Sequence, residues 1–205
     1  MSREFFKNRI FPVLFMFVIT LVFISVTTVI YTVTKDTIKF NESLRLRRAI
    51  LFAAGAAIPE DQDEIEKIIA KRVKEVKDDK GNTKYYIVYK EDLTAVNSYV
   101  IIKKGAGLWG TITMAVGFDG GIKSLRGVEV IDQNETPGLG GRISESWFKE
   151  QFRGKKSPFT KVAEGDPADE NQFQAITGAT YSSNAVMDIL NTSSIEIKEI
   201  AGDSR

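Results

Sequence analysis

Between Arg9 and Lys35 the chain runs from Ile10 to Thr34 without a single charge, and the run is rich in Phe, Val, Ile and Leu. About 20 apolar residues suffice to cross a bilayer core, so this stretch spans one with room to tilt. Core helices of soluble proteins do not need that length, and a cleavable leader has a shorter apolar centre with a small-residue cleavage site after it. The run reads as an uncleaved signal-anchor. It divides the chain into a tail over 1–9, a transmembrane helix over 10–34, a juxtamembrane helix over 35–58 and a domain over 59–205. Arg3, Lys7 and Arg9 precede the span, and Lys35, Lys39, Arg45, Arg47 and Arg48 follow it. By the positive-inside rule that count mildly favours a cytoplasmic C-terminal side, but long domains translocate regardless of it. Charge alone does not set the topology.

After the span, basic residues alternate with the cluster Ala49-Ile50-Leu51-Phe52-Ala53-Ala54, too short for a second crossing. Pro59 and the acidic residues after it mark a break and a new helix start, with a helical stripe through Ile65, Ile68, Ile69, Val73 and Val76. Asp78-Asp79-Lys80-Gly81-Asn82 is a turn. The period then changes to strands at Tyr85–Tyr89, Ser98–Ile102, Thr111–Phe118 and Ile122–Val130, the last two joined at Asp119-Gly120-Gly121. A short helix over Ile143–Phe152 and a final helix from Tyr181 to about Ile200 complete an α+β domain, an antiparallel sheet packed by helices.

Composition removes many chemistries. The 205 residues contain no Cys and no His. That excludes a disulfide, an iron–sulfur cluster, a Cys/His zinc site and a Ser-His-Asp triad. Any redox role must be carried by an organic cofactor. A net charge of +1 and the lack of an RNA-binding aromatic motif give no support for nucleic acid as a partner.

Three stretches can carry chemistry. Thr177-Gly178-Ala179-Thr180-Tyr181-Ser182-Ser183 is a polar turn that feeds the last helix, whose Val186, Ile189 and Leu190 share one face. The hydroxyls of Thr177, Thr180 and Ser182 fall where first-turn amides lack intrahelical partners, and a helix N-terminus suits a phosphate. An ordinary Ser/Thr N-cap explains the same pattern. Gly105-Ala106-Gly107-Leu108-Trp109-Gly110 opens a strand, where Trp109 can stack on a planar ring or simply fill a core. It is not a dinucleotide fingerprint, because it precedes a strand and lacks the spacing. Asn134-Glu135-Thr136-Pro137-Gly138-Leu139-Gly140-Gly141-Arg142 forms a tight loop. Leu139 there offers an apolar wall, and Glu135 and Thr136 an acceptor and a donor for a ring's polar edge; a plain connector reads equally well.

Thr177-Gly178-Ala179-Thr180 with Ser182-Ser183-Asn184-Ala185-Val186, taken together with Glu135-Thr136-Pro137-Gly138-Leu139-Gly140, resembles the covalent FMN-binding domain family. Within it the chain is similar to the G subunit of Rnf complexes, with the C subunit of sodium-translocating NADH:quinone reductase as the alternative. Compact length leans toward the former; Gly107-Leu108-Trp109 and Gly140-Gly141 lean toward the latter. The resemblance implies FMN held by a phosphoester to Thr180, the last Thr of the motif. It implies that Thr177, Gly178, Ala179, Ser182 and Ser183 surround the attachment point. Glu135, Thr136, Pro137, Gly138, Leu139, Gly140, Leu108 and Trp109 would line the isoalloxazine. Family members often carry a His two residues before that Glu; here it is Gln133, so no proton-handling role of such a His applies.

The resemblance further implies a flavin transferase that uses FAD and a divalent metal, membrane and redox subunits as partners, and a domain on the extracytoplasmic side of the plasma membrane. The chain is expected to be an electron-transfer subunit of an NADH- or ferredoxin-linked ion-translocating oxidoreductase. Two readings of another class compete: a reversible flavin- or nucleotide-binding sensor, and a structural anchor without cofactor. Neither needs the Thr180 hydroxyl.

Overall fold

The computed structural model describes residues 9–202. Residues 1–8, with Arg3 and Lys7, and residues 203–205 lie outside the described residues. The chain divides into two compact units after Ser43. The first is the apolar part of one continuous helix, α1, Phe11–Ala53. It is long and apolar enough to cross a membrane, and no residue of its most apolar window is buried. Six of its Ser and Thr side chains bond back to the helix. Thr20, Ser25, Thr27, Thr28, Thr32 and Thr34 each donate to the carbonyl four residues earlier. No water is needed to cover them, as a bilayer interior requires.

The second unit begins with the last turns of α1 and continues with α2, Gln62–Arg72. Asp61 caps α2, its carboxylate accepting the Asp63 amide. Five strands follow in an antiparallel meander of order β1-β2-β3-β4-β5: Val73–Lys77, Thr83–Tyr89, Val96–Ala106, Thr111–Asp119 and Leu125–Asp132. A 3-10 helix, Gly140–Ser144, and a short helix α3, Ser146–Glu150, lead to a two-stranded parallel pair, β6 (Thr160–Val162) and β7 (Gln172–Gln174). The last helix is α4, Thr180–Gly202.

The sheet buries both faces. Tyr99, Ile101, Met114 and Val116 face Ala185, Val186, Ile189 and Leu190 of α4. Val88, Val100 and Ala115 face Ala49, Ile50, Ala53 and Ala54 at the end of α1. Along β3 and β4 alternate residues therefore enter different cores, as strand geometry dictates.

The same geometry corrects the helical stripe expected through Val73 and Val76. Both belong to β1; three positions apart in a strand they point to opposite sides, Val73 into the α1 core and Val76 into the α4 core. The hairpin at Asp119 is longer than expected, with Ile122 at φ 56° and the strand resuming at Leu125. Asp119 ties that turn, accepting the amides of Gly121, Lys123 and Ser124.

Small residues allow the end of α1 to lie close on the sheet. A Cβ on Gly117 would fall 1.9 Å from the Ala53 carbonyl oxygen. Backbone cannot yield as a flexible side chain can. Gly117→Val should cost about 3 kcal/mol or more, at the top of the overpacking range, read as a lowered thermal midpoint; an unchanged midpoint would contradict this packing.

Candidate functional site

Three connections meet where β3 ends, β5 ends and α4 begins. The β3–β4 turn is closed by the Gly107 amide on the Gly110 carbonyl at 2.8 Å, leaving Leu108 and Trp109 exposed. After β5 the chain enters the 133–142 loop, in which the amides of Leu139 and Gly141 both donate to Thr136 O, at 3.1 and 2.9 Å. The third connection is the Thr177–Thr180 turn, where the Ala179 amide reaches the Ile176 carbonyl at 3.0 Å and Gly178 takes φ 76°.

They enclose a cavity of about 50 Å³. Leu108, Glu135, Thr136, Leu139 and Gly140 line one part of it, and Gly178, Ala179, Thr180, Tyr181 and Ser182 the other. The remaining expected residues lie around it rather than in it. Pro137 and Gly138 form the exposed tip of their loop, and Trp109 and Thr177 are exposed. Ser183 is buried, its Oγ accepting the Ile176 amide at 3.1 Å. Tyr181, 70% exposed and part of the lining, was missed by the motif reading, which stops at Thr180 and resumes at Ser182.

Glu135 has a different role from the one expected of it. It is only 5% exposed. One carboxylate oxygen accepts the Trp109 amide at 3.0 Å and the other the Ser182 hydroxyl. Its own amide donates to Gln133 Oε1 at 2.6 Å. Both oxygens are thus engaged within the protein, and the residue joins all three connections instead of offering itself to a ring edge. Gly140 makes the approach possible, because a Cβ there would lie 2.3 Å from Ser182 Oγ.

The start of α4 is not capped by its hydroxyls. The first backbone bond into the helix runs from the Ser183 amide to Ala179 O at 3.0 Å. The amides of Thr180, Tyr181 and Ser182 precede that ladder, and Ser182 spends its hydroxyl on Glu135. The expected Ser/Thr cap is absent. Free amides at the positive end of a 23-residue helix stand beside the exposed Thr180.

Glu164 and Arg142 were also missed, lying outside the conspicuous motifs or at their margin. Glu164 accepts the Thr177 amide at 2.8 Å and both terminal nitrogens of Arg142, at 3.2 and 2.7 Å. The Arg142 guanidinium, followed by the Thr177 amide, holds the Glu164 carboxyl down at about 2. A lowered folded-state value means the contribution is complete above the ordinary carboxylate range and is lost as pH falls through about 2.

The sequence comparisons bear on this site. Residues 107–193 match the family model described as FMN-binding domain. The segment contains every candidate residue named above.

Among relatives, the C subunit of the Na(+)-translocating NADH-quinone reductase of Yersinia pestis is 33% identical over 104 residues, 47% of this chain and 39% of that one. The G subunit of the proton-translocating ferredoxin:NAD(+) oxidoreductase complex of Clostridium ljungdahlii is 33% identical over 108 residues, 52% and 55%. The G subunit of the ion-translocating oxidoreductase complex of Methanosarcina acetivorans is 31% identical over 118 residues, 58% and 61%. The chain spans about half the length of these relatives. The crystal structure of the C subunit of the Parabacteroides distasonis Na(+)-translocating NADH-quinone reductase superposes with a TM-score of 0.63 at 23% identity, covering 80% of this chain and 94% of that one. That likeness shows a shared fold.

The residues fit FMN in a particular way. Ligand sites that swallow a small molecule hold roughly 300 Å³ or more, and this cavity, at about 50 Å³, takes only a group of phosphate size. Around it lie four exposed apolar side chains, Leu108, Trp109, Leu139 and Tyr181. The cavity and amides suit the phosphate, and the apolar rim suits the ring.

Removing the central carboxylate tests the build. Glu135→Ala would leave the Ser182 hydroxyl and the Trp109 amide without their acceptor, at a cost of about 2 kcal/mol. Thermal melting should show the drop; a melting curve like that of the wild type would mean the three connections hold without it.

Proposed function

We propose that this chain is a membrane-anchored subunit that relays electrons through FMN esterified to Thr180, within an ion-translocating oxidoreductase complex of the Rnf type. The observation that carries the proposal is Thr180 itself. It is an exposed residue that begins α4, beside uncapped amides and a phosphate-sized cavity, inside the segment that matches the FMN-binding domain model. Bound FMN supplies the acceptance and donation of electrons, for which a chain with no Cys or His has no other obvious group.

The residues then divide the work. Thr180 Oγ would hold the FMN phosphate as an ester, its proton lost as the pyrophosphate bond of the donor FAD is exchanged and AMP is released. A separate transferase with a divalent metal provides that step, so Thr180 is an attachment point and not a turnover nucleophile. The amides of Thr180, Tyr181 and Ser182 would hold the phosphodiester charge, with the helix dipole behind them. Leu108, Trp109 and Leu139 give the ring an apolar bed. The Glu135–Ser182 hydrogen bond holds that bed against the helix.

The choice of complex follows the relatives. Alignments of 108 and 118 residues fill 55% and 61% of the two G subunits, whereas 104 residues fill only 39% of the Yersinia pestis C subunit. The match thus fills a larger share of these two G subunits than of that C subunit, which favours the G-subunit reading. The quinone-reductase assignment remains the second reading, supported by the shared fold of its solved relative. We place α1 in the membrane and the domain outside the cytoplasm, where an ester tether keeps a cofactor that would otherwise be lost by dilution.

The test is flavin fluorescence in a denaturing gel after co-expression with an FAD-dependent flavin transferase. The wild type and Thr177→Ala should give a fluorescent band, and Thr180→Ala none. A dark wild-type band beside an active transferase would revive the reversible-sensor or anchor reading.

A further inference from the structure

The Thr177–Thr180 turn is exposed at three of its four residues, Thr177, Gly178 and Thr180, so packing holds it only at Ala179. Gly178, at φ 76°, adds the backbone freedom of a glycine at its centre. Two bonds close the turn from within, Ala179 N–H to Ile176 O and Ile176 N–H to Ser183 Oγ. The Thr177 amide takes part in neither. It is held from outside by Glu164, at 2.8 Å.

Glu164 is in turn fixed from two directions. Arg142, directly after Gly140-Gly141, grips it with two nitrogens. Arg142 also lies 3.5 Å from Glu145 and places its guanidinium 5.1 Å from the centroid of Trp147. On the other side the loop after Glu164 is tied to the strand entering the turn. Gly165 N–H donates to Gln174 Oε1 at 3.1 Å, and Gln174 Nε2 donates to Asp166 O at 2.9 Å. One carboxylate thus couples the loop that would bed the ring to the turn that would carry the ester.

We infer that Glu164, set by Arg142, is a positioning residue that fixes how the Thr180 hydroxyl is presented for esterification. The inference rests on the proposed ester at Thr180 and adds a residue outside both motifs. Magnitudes separate this role from simple stabilisation. Glu164 and Arg142 are partly exposed, each with a quarter of its side chain accessible, and such pairs contribute little to folding. Transfer of a phosphoryl group to an oxygen depends far more steeply on where that oxygen sits. Losing Glu164 should therefore slow attachment while leaving the melting temperature almost unchanged.

The experiment follows flavin attachment over time to the purified full-length chain, supplied with FAD and transferase, and corrects each rate for the folded fraction. Glu164→Ala removes both the acceptor and the ion pair and should react about fivefold more slowly or worse, from the upper range of exposed ion pairs. Glu164→Gln keeps an oxygen for the Thr177 amide and should fall between Glu164→Ala and the wild type. The double variant Glu164→Arg with Arg142→Glu, which restores the pair but not the acceptor, should stay slow. Attachment to Glu164→Ala at the wild-type rate, with Thr180→Ala dark, overturns the positioning role and leaves the ester intact. A slow rate explained wholly by lost folded protein also overturns it. A dark wild type overturns both proposals.

Discussion

The site depends on one buried carboxylate. Glu135 accepts the Trp109 amide from the β3–β4 turn and the Ser182 hydroxyl from α4, while belonging itself to the loop after β5. Buried carboxylates are costly unless hydrogen-bonded, and here the two bonds come from two other segments of chain. The arrangement is conditional on both. If the helix start or the glycine turn moves, Glu135 loses a partner and the site loses its closure. Satisfying a buried charge thereby becomes a way of holding three surface loops in one place.

Much of the architecture was legible because the physics is local. The uncharged run from Ile10 declares a helix by length alone, and the meander follows from period-2 stretches separated by turns. Reading stopped where a residue serves two masters. Val73 and Val76 look helical by spacing because the sheet is buried on both faces, which hides alternation. The motif segments lie around one small cavity, but Ser182 and Glu135 turn toward each other and not outward, since a hydrogen bond across 47 positions leaves no trace in composition. Glu164 was illegible for the same reason: its partners, Arg142 and Thr177, are 22 and 13 positions away.

The small cavity and the exposed rim together suit a cofactor bound at its surface. A ring lying on Leu108, Trp109 and Leu139 leaves an edge open to a partner, as an electron relay needs. The cost of such exposure is weak retention, and the proposed ester to Thr180 would remove that cost. Among the described residues one helix is long and apolar enough to cross a membrane, which on the proposed reading would anchor the domain there.

The claim on which the rest turns is the position of the ester. Proteolysis of the loaded protein at Lys161 and Lys198 isolates a peptide carrying Thr177, Thr180, Ser182 and Ser183 together. Fragmentation mass spectrometry of that peptide distinguishes the four hydroxyls. FMN on Thr180 alone is the predicted result. FMN on Thr177 or either serine, or a peptide without flavin from a chain that otherwise retains it, would contradict the account.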